Sequence, residues 1–303
     1  MTVKELYLTI KNILSQGGVS DPSFEASYLM EEIAGYDRNK IIVYGDDVIS
    51  DHEEEKLLNM AKKRAAGEPL QYVMGLWYFM DLPFAVGKGV LIPREDTQVC
   101  VDICINRIKE NPEKEMQVLD LCAGSGAISV VISKYCKNAK ATAVEKSPEA
   151  YEYLLKNIYI NQADVKAVKC DIFYPENFLQ DGKFDIIVSN PPYIKREELP
   201  TLQSEVQYEP KMALDGGESG LDFYSFITKR YTEFLKTDGM LVYELGEDQF
   251  EDVKKMMTDA GFENISSSLD IGGVERAISG FYKKKIRKLV REISLKSLNF
   301  FLF

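Results

Sequence analysis

The sequence predicts an α/β protein, a parallel doubly wound sheet preceded by a small helical domain. Three observations carry this. From about residue 95, strand-like apolar runs alternate with helix-like stretches, the order of strands joined by crossover helices. Residues 1 to about 80 show only the spacing of amphipathic helices. The apolar run at 118–121 ends in a glycine-rich turn that opens a helix, a turn through which backbone can approach a ligand closely. A chain of 303 residues has room for about two domains, at roughly 100–200 residues each.

In the helical part, Leu6, Ile10, Ile13 and Leu14 share one face, and Gly17-Gly18 stops that helix. Asp21-Pro22 opens a second, with Phe24, Tyr28, Leu29 and Ile33 on one face. Asp51 with Glu53, Glu54 and Glu55 puts negative charge at the start of a third, which runs to Arg64 and ends at Gly67 and Pro69. We assign residues 1–82 to this domain; its 8 Lys/Arg and 14 Asp/Glu include no catalytic pattern. Residues 83–93 are expected to form two short strands around Gly87-Lys88-Gly89, a hairpin connector. The sheet domain spans 94–281. A helix carrying Val99, Ile103 and Ile108 leads into the apolar run at 116–121, and further strands are expected at 141–145, 165–171, 184–190 and 239–245. Residues 282–303 form a basic tail, with Ile286, Leu289, Val290 and Ile293 on one helical face.

Charge and composition exclude several classes. Lys and Arg total 37 against 48 Asp and Glu, a net of −11. The tail holds seven Lys/Arg and one Glu, which leaves −17 on the other 281 residues. Gripping a phosphate backbone needs clustered cations, so direct nucleic-acid binding is not expected. The single histidine, His52, removes most Ser-His-Asp triads, Cys-His dyads and multi-His metal sites, and no metal is expected. His52 itself reads as a solvated residue at a helix start. The five cysteines (Cys100, Cys104, Cys122, Cys136, Cys170) form no C-x-x-C pair and are odd in number, which suits a reduced, cytoplasmic compartment. The N-terminus lacks the pattern of a signal peptide, and no apolar run reaches about 18 residues, so no membrane span is expected. A monomer is expected.

The stretch at 118–128 is a strand, a turn and a helix start. It spans Asp120, Cys122, Ala123, Gly124, Ser125 and Gly126. The dinucleotide fingerprint is absent, because Gly126 is followed three residues on by Ser129. Asp120 before the turn suits a ligand with an ammonium group better than a pyrophosphate, and S-adenosylmethionine is such a ligand. Glu145 ends the next strand, 19 residues after Gly126, where a carboxylate can accept both ribose hydroxyls. Asp171 ends the third strand, 26 residues further, with Ile172 next to it. Asp171 is placed for an exocyclic amine and Ile172 for the flat face of an adenine. Asn190 ends the fourth strand. Taken in order, these groups line one sheet edge, where ligands of open α/β sheets bind.

Asn190-Pro191-Pro192-Tyr193 is the most specific stretch. The prolines end strand pairing and fix φ, and neither has an N–H. An NH2 group can donate one hydrogen to the Asn190 side-chain carbonyl and one to the Pro191 main-chain carbonyl. Tyr193 can pack its ring against a planar substrate group. An amide nitrogen is a poor nucleophile because its lone pair is delocalised. A sulfonium methyl is reactive enough that positioning supplies much of the rate.

These residues resemble the PrmC/HemK protein-(glutamine) N-methyltransferases, which act on peptide chain release factors. The resemblance runs from the helical part to about residue 281. Residues 67–75 (GEPLQYVMG) resemble the family's interdomain segment, and 90–97 (VLIPREDT) its I-P-R-P-E-T stretch. Residues 190–193 carry the amino-methyltransferase motif. Residues 205–210, 213–217, 220–224, 244–249 and 272–276 resemble the family's downstream blocks. The resemblance implies a Rossmann-like class I methyltransferase sheet and S-adenosylmethionine as donor, with S-adenosylhomocysteine as product. It implies as acceptor the glutamine amide of a release factor's Gly-Gly-Gln motif, held by Asn190 and Pro191. The helical domain would help to dock the release factor. Cys122 stands where the family has glycine and is expected to take an ordinary φ, and Ala123 where it has threonine. Asp96 and Gln98 replace glutamates around Thr97.

Two other functions fit parts of the pattern. An adenine methyltransferase on DNA or RNA can hold a flipped base in the same loop, but the net −17 and the lack of a recognisable nucleic-acid module disfavour it. A non-catalytic binding protein on this fold is disfavoured by the intact 190–193 loop.

Overall fold

Thr2, Asp21, Asp37 and Ser50 each accept, on the side chain, the backbone N–H three residues on, and each begins a helix. These are α1 (Val3–Gln16), α2 (Pro22–Ala34), α3 (Arg38–Val43) and α4 (Asp51–Ala65), followed by α5 (Leu70–Met74). The computed structural model describes residues 1–179 and 183–283. Leu6, Ile10, Leu14, Leu29, Met30, Leu57 and Ala61 make the core of this helical part. The short α3 and α5 carry too little periodicity to be expected from sequence.

The buried face of α2 differs from the expected one. Glu25, Ala26, Leu29 and Met30 are inside, whereas Phe24 is 50% exposed. Phe24 stacks on Tyr28, and Tyr28 meets Trp77 edge-on, so the aromatic stripe covers a surface joint. Glu25 is inside because the buried Arg64 grips both its oxygens, at 2.7 and 2.9 Å.

The hairpin also lies elsewhere. Its strands are β1 (Leu76–Phe79) and β2 (Leu82–Ala85), turning at Met80 and Asp81, whose φ are 46° and 63°. Two consecutive left-handed residues make the tight turn that strand twist favours, without a glycine to announce it. Gly87 and Gly89 fall past the hairpin. A Cβ at Gly87 would sit 2.2 Å from the Tyr153 hydroxyl, and one at Gly89 2.7 Å from Glu149 Cβ. These glycines serve close packing.

The sheet follows α6 (Thr97–Lys109). Cys100, Val101, Cys104, Ile105 and Ile108 of α6 are buried, while Val99 and Ile103 are only partly so. Then come β3 (Met116–Leu121), α7 (Ala127–Tyr135), β4 (Ala139–Glu145), α8 (Pro148–Asn161), β5 (Val165–Lys169), β6 (Phe184–Ser189), α9 (Asp222–Tyr231), β7 (Leu235–Glu244), α10 (Phe250–Ala260), β8 (Phe262–Leu269) and β9 (Glu275–Tyr282). Strand order is β5-β4-β3-β6-β7-β9-β8. The first five strands are parallel, as expected. The last two make the sheet mixed, since β9 pairs antiparallel with both β7 and β8. The turn at Gly272 and Gly273 sends β9 back between β7 and β8. The serine-rich β8 is an edge strand with little apolar signal. Two apolar layers, one on each sheet face, sandwich Val118 and Leu119 of β3.

The described cysteines are all free thiols. His52 is exposed on α4, as expected. Among the described residues no helix is long and apolar enough to cross a membrane. The apolar face expected on the basic tail lies outside the described residues.

Candidate functional site

The turn after β3 is built from left-handed backbone. Cys122, Gly124 and Gly126 have φ of 60°, 55° and 81°. Cys122 therefore keeps the tight turn, contrary to the ordinary φ expected of a non-glycine residue. The turn is over-determined by its neighbours. Ala123 N–H donates to the Val144 carbonyl at 3.0 Å, and Gly126 N–H to the Ala123 carbonyl at 2.8 Å. The thiol packs on the apolar layer of Leu121 and Val144, and burial pushes its pKa up, so it is a packing group. A Cβ at Gly126 would lie 2.5 Å from Leu154 of α8, whereas nothing stands within 4 Å of one at Gly124. Gly126 thus lets α8 approach, and Gly124 faces open space. Asn157 of α8 is wholly buried and donates to the Ser125 and Ala85 carbonyls at 2.9 and 3.1 Å. It ties the turn to the hairpin, and nothing local in the sequence marks it.

A cleft opens at the C-terminal ends of β3, β4 and β6. Its wall includes Cys122, Ala123, Gly124, Ser125, Glu145, Asp171, Ile172, Asn190 and Pro192. Glu145 Oε2 accepts the Gly124 N–H at 2.8 Å and Oε1 the Ser147 N–H at 2.7 Å. Burial holds its pKa above the usual range. Asp171 lies two residues past β5. Its Oδ1 accepts the Phe173 N–H at 3.0 Å, and its Oδ2 pairs with Lys146 at 2.7 Å. Ile172 is fixed by its carbonyl, which accepts the Tyr231 hydroxyl at 2.8 Å.

Asp120, Gly126 and Pro191 stand off the wall. Asp120 is fully buried beneath the turn, where Oδ2 accepts the Ser129 N–H at 3.1 Å. Its Oδ1 has no partner among the described residues. Burial, opposed by the bonds from Ser129, pushes its pKa up to about 7.

Asn190 also lines a second cavity, with Tyr193, Leu202, Val206 and Glu244. The 190–193 loop is held from behind. Gln249 Nε2 donates to the Tyr193 carbonyl at 3.0 Å, and Ile194 N–H to the Leu214 carbonyl at 3.0 Å. Any Cβ at Gly216 would strike the Tyr193 backbone at 2.8 Å. The downstream motif around 213–217 is therefore the seat of the loop.

Four further groups of the two cavities carry little individual signal in the sequence. Phe173, Met212 and Phe223 extend the cleft wall. Glu244, wholly buried at the end of β7, accepts the Thr97 hydroxyl at 2.6 Å, and the Tyr193 hydroxyl donates to it at 3.4 Å. A carboxylate closing the apolar half of β7, after Met240, Leu241 and Val242, is the available signal. The whole arrangement can place a flat, cationic ligand in the cleft and a planar NH2 group beyond Asn190.

Residues 5–75 match the family model described as PrmC N-terminal domain, and residues 97–217 that of the methyltransferase small domain. A release factor glutamine methyltransferase of Geobacter sulfurreducens is 36% identical over 280 residues, 92% of this chain and 96% of that protein. One of Fusobacterium nucleatum is 36% identical over 271 residues, 88% of this chain and 75% of that one. One of Clostridium botulinum is 34% identical over 281 residues, 92% and 98% of the two chains. Among solved structures, the hMettl16 catalytic domain in complex with MAT2A 3′UTR hairpin 1 aligns with a TM-score of 0.54 at 14% identity, covering 86% of this chain and 91% of that one. At that identity the likeness concerns the fold alone.

Proposed function

The chain belongs to the family of release factor glutamine methyltransferases, and from this we infer that it methylates the side-chain amide nitrogen of a release-factor glutamine with S-adenosylmethionine as donor. The observation that carries the reading is that Asn190 lines both cavities, so an acceptor in one meets a donor in the other.

The residues present fit the donor. An orphan buried carboxylate oxygen on Asp120, beneath the turn, puts negative charge behind the place of an ammonium group, and Gly124 leaves room for a close approach. Glu145 keeps a lone pair on each oxygen for the two ribose hydroxyls. Asp171 and Ile172 frame the adenine; the bonds from Phe173 and Lys146 leave Asp171 a lone pair on each oxygen. When bound, S-adenosylmethionine supplies an electrophilic methyl group and leaves as S-adenosylhomocysteine.

On the acceptor side, Asn190 Oδ1 and the Pro191 carbonyl take the two hydrogens of the glutamine NH2. This pins the amide and turns its nitrogen towards the methyl carbon. The Tyr193 ring covers the flat face of the amide. Rate comes from holding the nitrogen in line with the reactive methyl group. The surplus proton of the methylated nitrogen passes to solvent. The reading further takes the enzyme to be cytoplasmic and metal-free. The Gly-Gly-Gln motif would present the glutamine, and the helical part would dock the release factor.

A methyl-transfer assay offering release factor and oligonucleotide in parallel tests this. Label is expected on the release factor glutamine. Label on nucleic acid alone would overturn the reading. Asn190→Ala is expected to abolish transfer while cofactor binding persists.

A further inference from the structure

We propose that Glu244 and Thr97 form a polarity relay that fixes which end of the Asn190 carboxamide faces the acceptor, so that both are positioning residues for the methyl transfer. The proposal rests on the function inferred above.

The geometry is a chain of three side chains drawn from distant elements. Thr97 Oγ1 begins α6, Glu244 ends β7, and Asn190 follows β6. Thr97 Oγ1 lies 2.6 Å from Glu244 Oε2 and 3.3 Å from Asn190 Nδ2. A threonine hydroxyl has one proton, and an ionised carboxylate can only accept. The proton of Thr97 is therefore committed to Glu244. Only lone pairs of Oγ1 remain for Asn190, and these accept an N–H. The Nδ2 end of the carboxamide is thereby held at Thr97, and Oδ1 turns to the opposite side. An amide NH2 arriving from the second cavity needs that acceptor; the flipped carboxamide would offer donor to donor. The Tyr193 hydroxyl donates to the other carboxylate oxygen, so Glu244 also braces the ring beside the acceptor.

The relay depends on the charge of Glu244. A protonated carboxyl can donate to Thr97, and the threonine proton is then free to turn to Asn190 Oδ1. Several groups face Glu244. Thr97, Asp96 and Cys100 come from α6 and its start, Arg276 from β9, Tyr193 from the loop after β6, and Tyr224 from α9. Burial raises the pKa of Glu244 to about 7, against the bonds from Thr97 and Tyr193 and the charge of Arg276, while Asp96 adds to the rise. Ionisation, and with it the fixed amide, is thus gained as pH rises through neutrality.

The test is the pH dependence of kcat for release-factor methylation in the wild type, Glu244→Gln, Thr97→Val and Thr97→Ser. Wild-type kcat should rise about tenfold between about pH 6 and about pH 8, the weight of one oriented hydrogen bond. Glu244→Gln should flatten this limb. Thr97→Val should lower kcat about tenfold at the upper end, with cofactor affinity unchanged within about twofold, and Thr97→Ser should restore most of it. A limb that persists in Glu244→Gln, or a Thr97→Val enzyme with wild-type kcat, overturns the relay. A wild type that methylates no release factor at any pH overturns the function and the relay with it.

Discussion

Glu145 Oε2 accepts the Gly124 N–H at 2.8 Å, which ties the carboxylate ending β4 to the glycine turn after β3. The second oxygen accepts the Ser147 N–H, so the protein fixes both oxygens and leaves each a free lone pair. Glu145→Ala is expected to weaken S-adenosylmethionine binding ~10–100-fold, the worth of one or two charge-assisted hydrogen bonds. The kcat at saturating cofactor should fall far less. Titration calorimetry beside steady-state kinetics separates the two effects, and an unaltered Kd would remove Glu145 from the ribose.

Asp120 gives binding a pH dependence of known sign. Its folded pKa is about 7, well above the ordinary value of 3.8. A cationic ligand favours the ionised form, so affinity should rise between about pH 6 and about pH 7.5 with release of a proton. Calorimetry in buffers of different ionisation enthalpy counts that proton. Asp120→Asn should bind more weakly and without the pH dependence. The ligand-free protein should show the opposite trend. A raised carboxyl contributes stability that is full below its unfolded pKa and lost as pH rises through about 7. Ligand-free Tm should therefore fall over that window, less so in Asp120→Asn.

Cys122 holds a left-handed φ at a Cβ cost of roughly 1–2 kcal/mol. Its thiol recovers part of this by packing. Removing the thiol while keeping the Cβ isolates the backbone term. Cys122→Gly should therefore be more stable than Cys122→Ala by about 1 kcal/mol. Cys122→Val, branched at Cβ, should be the least stable of the three. Urea midpoints rank them, and an alanine variant equal to the glycine one would mean the turn relaxes without cost.

The parts of the site that were legible in the sequence are those made by consecutive residues. The turn at 122–126 and the loop at 190–193 announce themselves because their backbones need glycine and proline there. Glu145, Asp171 and Asn190 follow because strand ends in a parallel sheet share one edge. The hairpin lies away from its expected place because Met80 and Asp81 adopt left-handed φ without being glycine, while Gly87 and Gly89 serve packing against α8. The edge strand β8 leaves no mark in the sequence because its serines lack an apolar rhythm. Glu244 and Thr97 are 147 positions apart, and only the folded sheet brings them together. The left-handed Cys122 shows the reverse, a backbone demand overriding residue preference.

Arg64 ties the helical part to the segment beside the second cavity. It is 4% exposed, binds both oxygens of Glu25, and reaches Glu205 of the segment that carries Leu202 and Val206 to the second cavity. Tyr208 adds a hydroxyl bond to the Ala66 carbonyl at 2.8 Å. Arg64→Met leaves the buried Glu25 carboxylate uncompensated, at a cost of about 3–5 kcal/mol. Arg64→Met with Glu25→Leu should regain most of that stability, because the orphan charge is gone. The double variant should still have lost its hold on Glu205. Its urea midpoint should approach that of the wild type, while KM for the release factor stays raised and cofactor Kd does not change. Recovery of both stability and KM would mean that Arg64 serves the helical core alone and leaves the segment beside the second cavity to Tyr208.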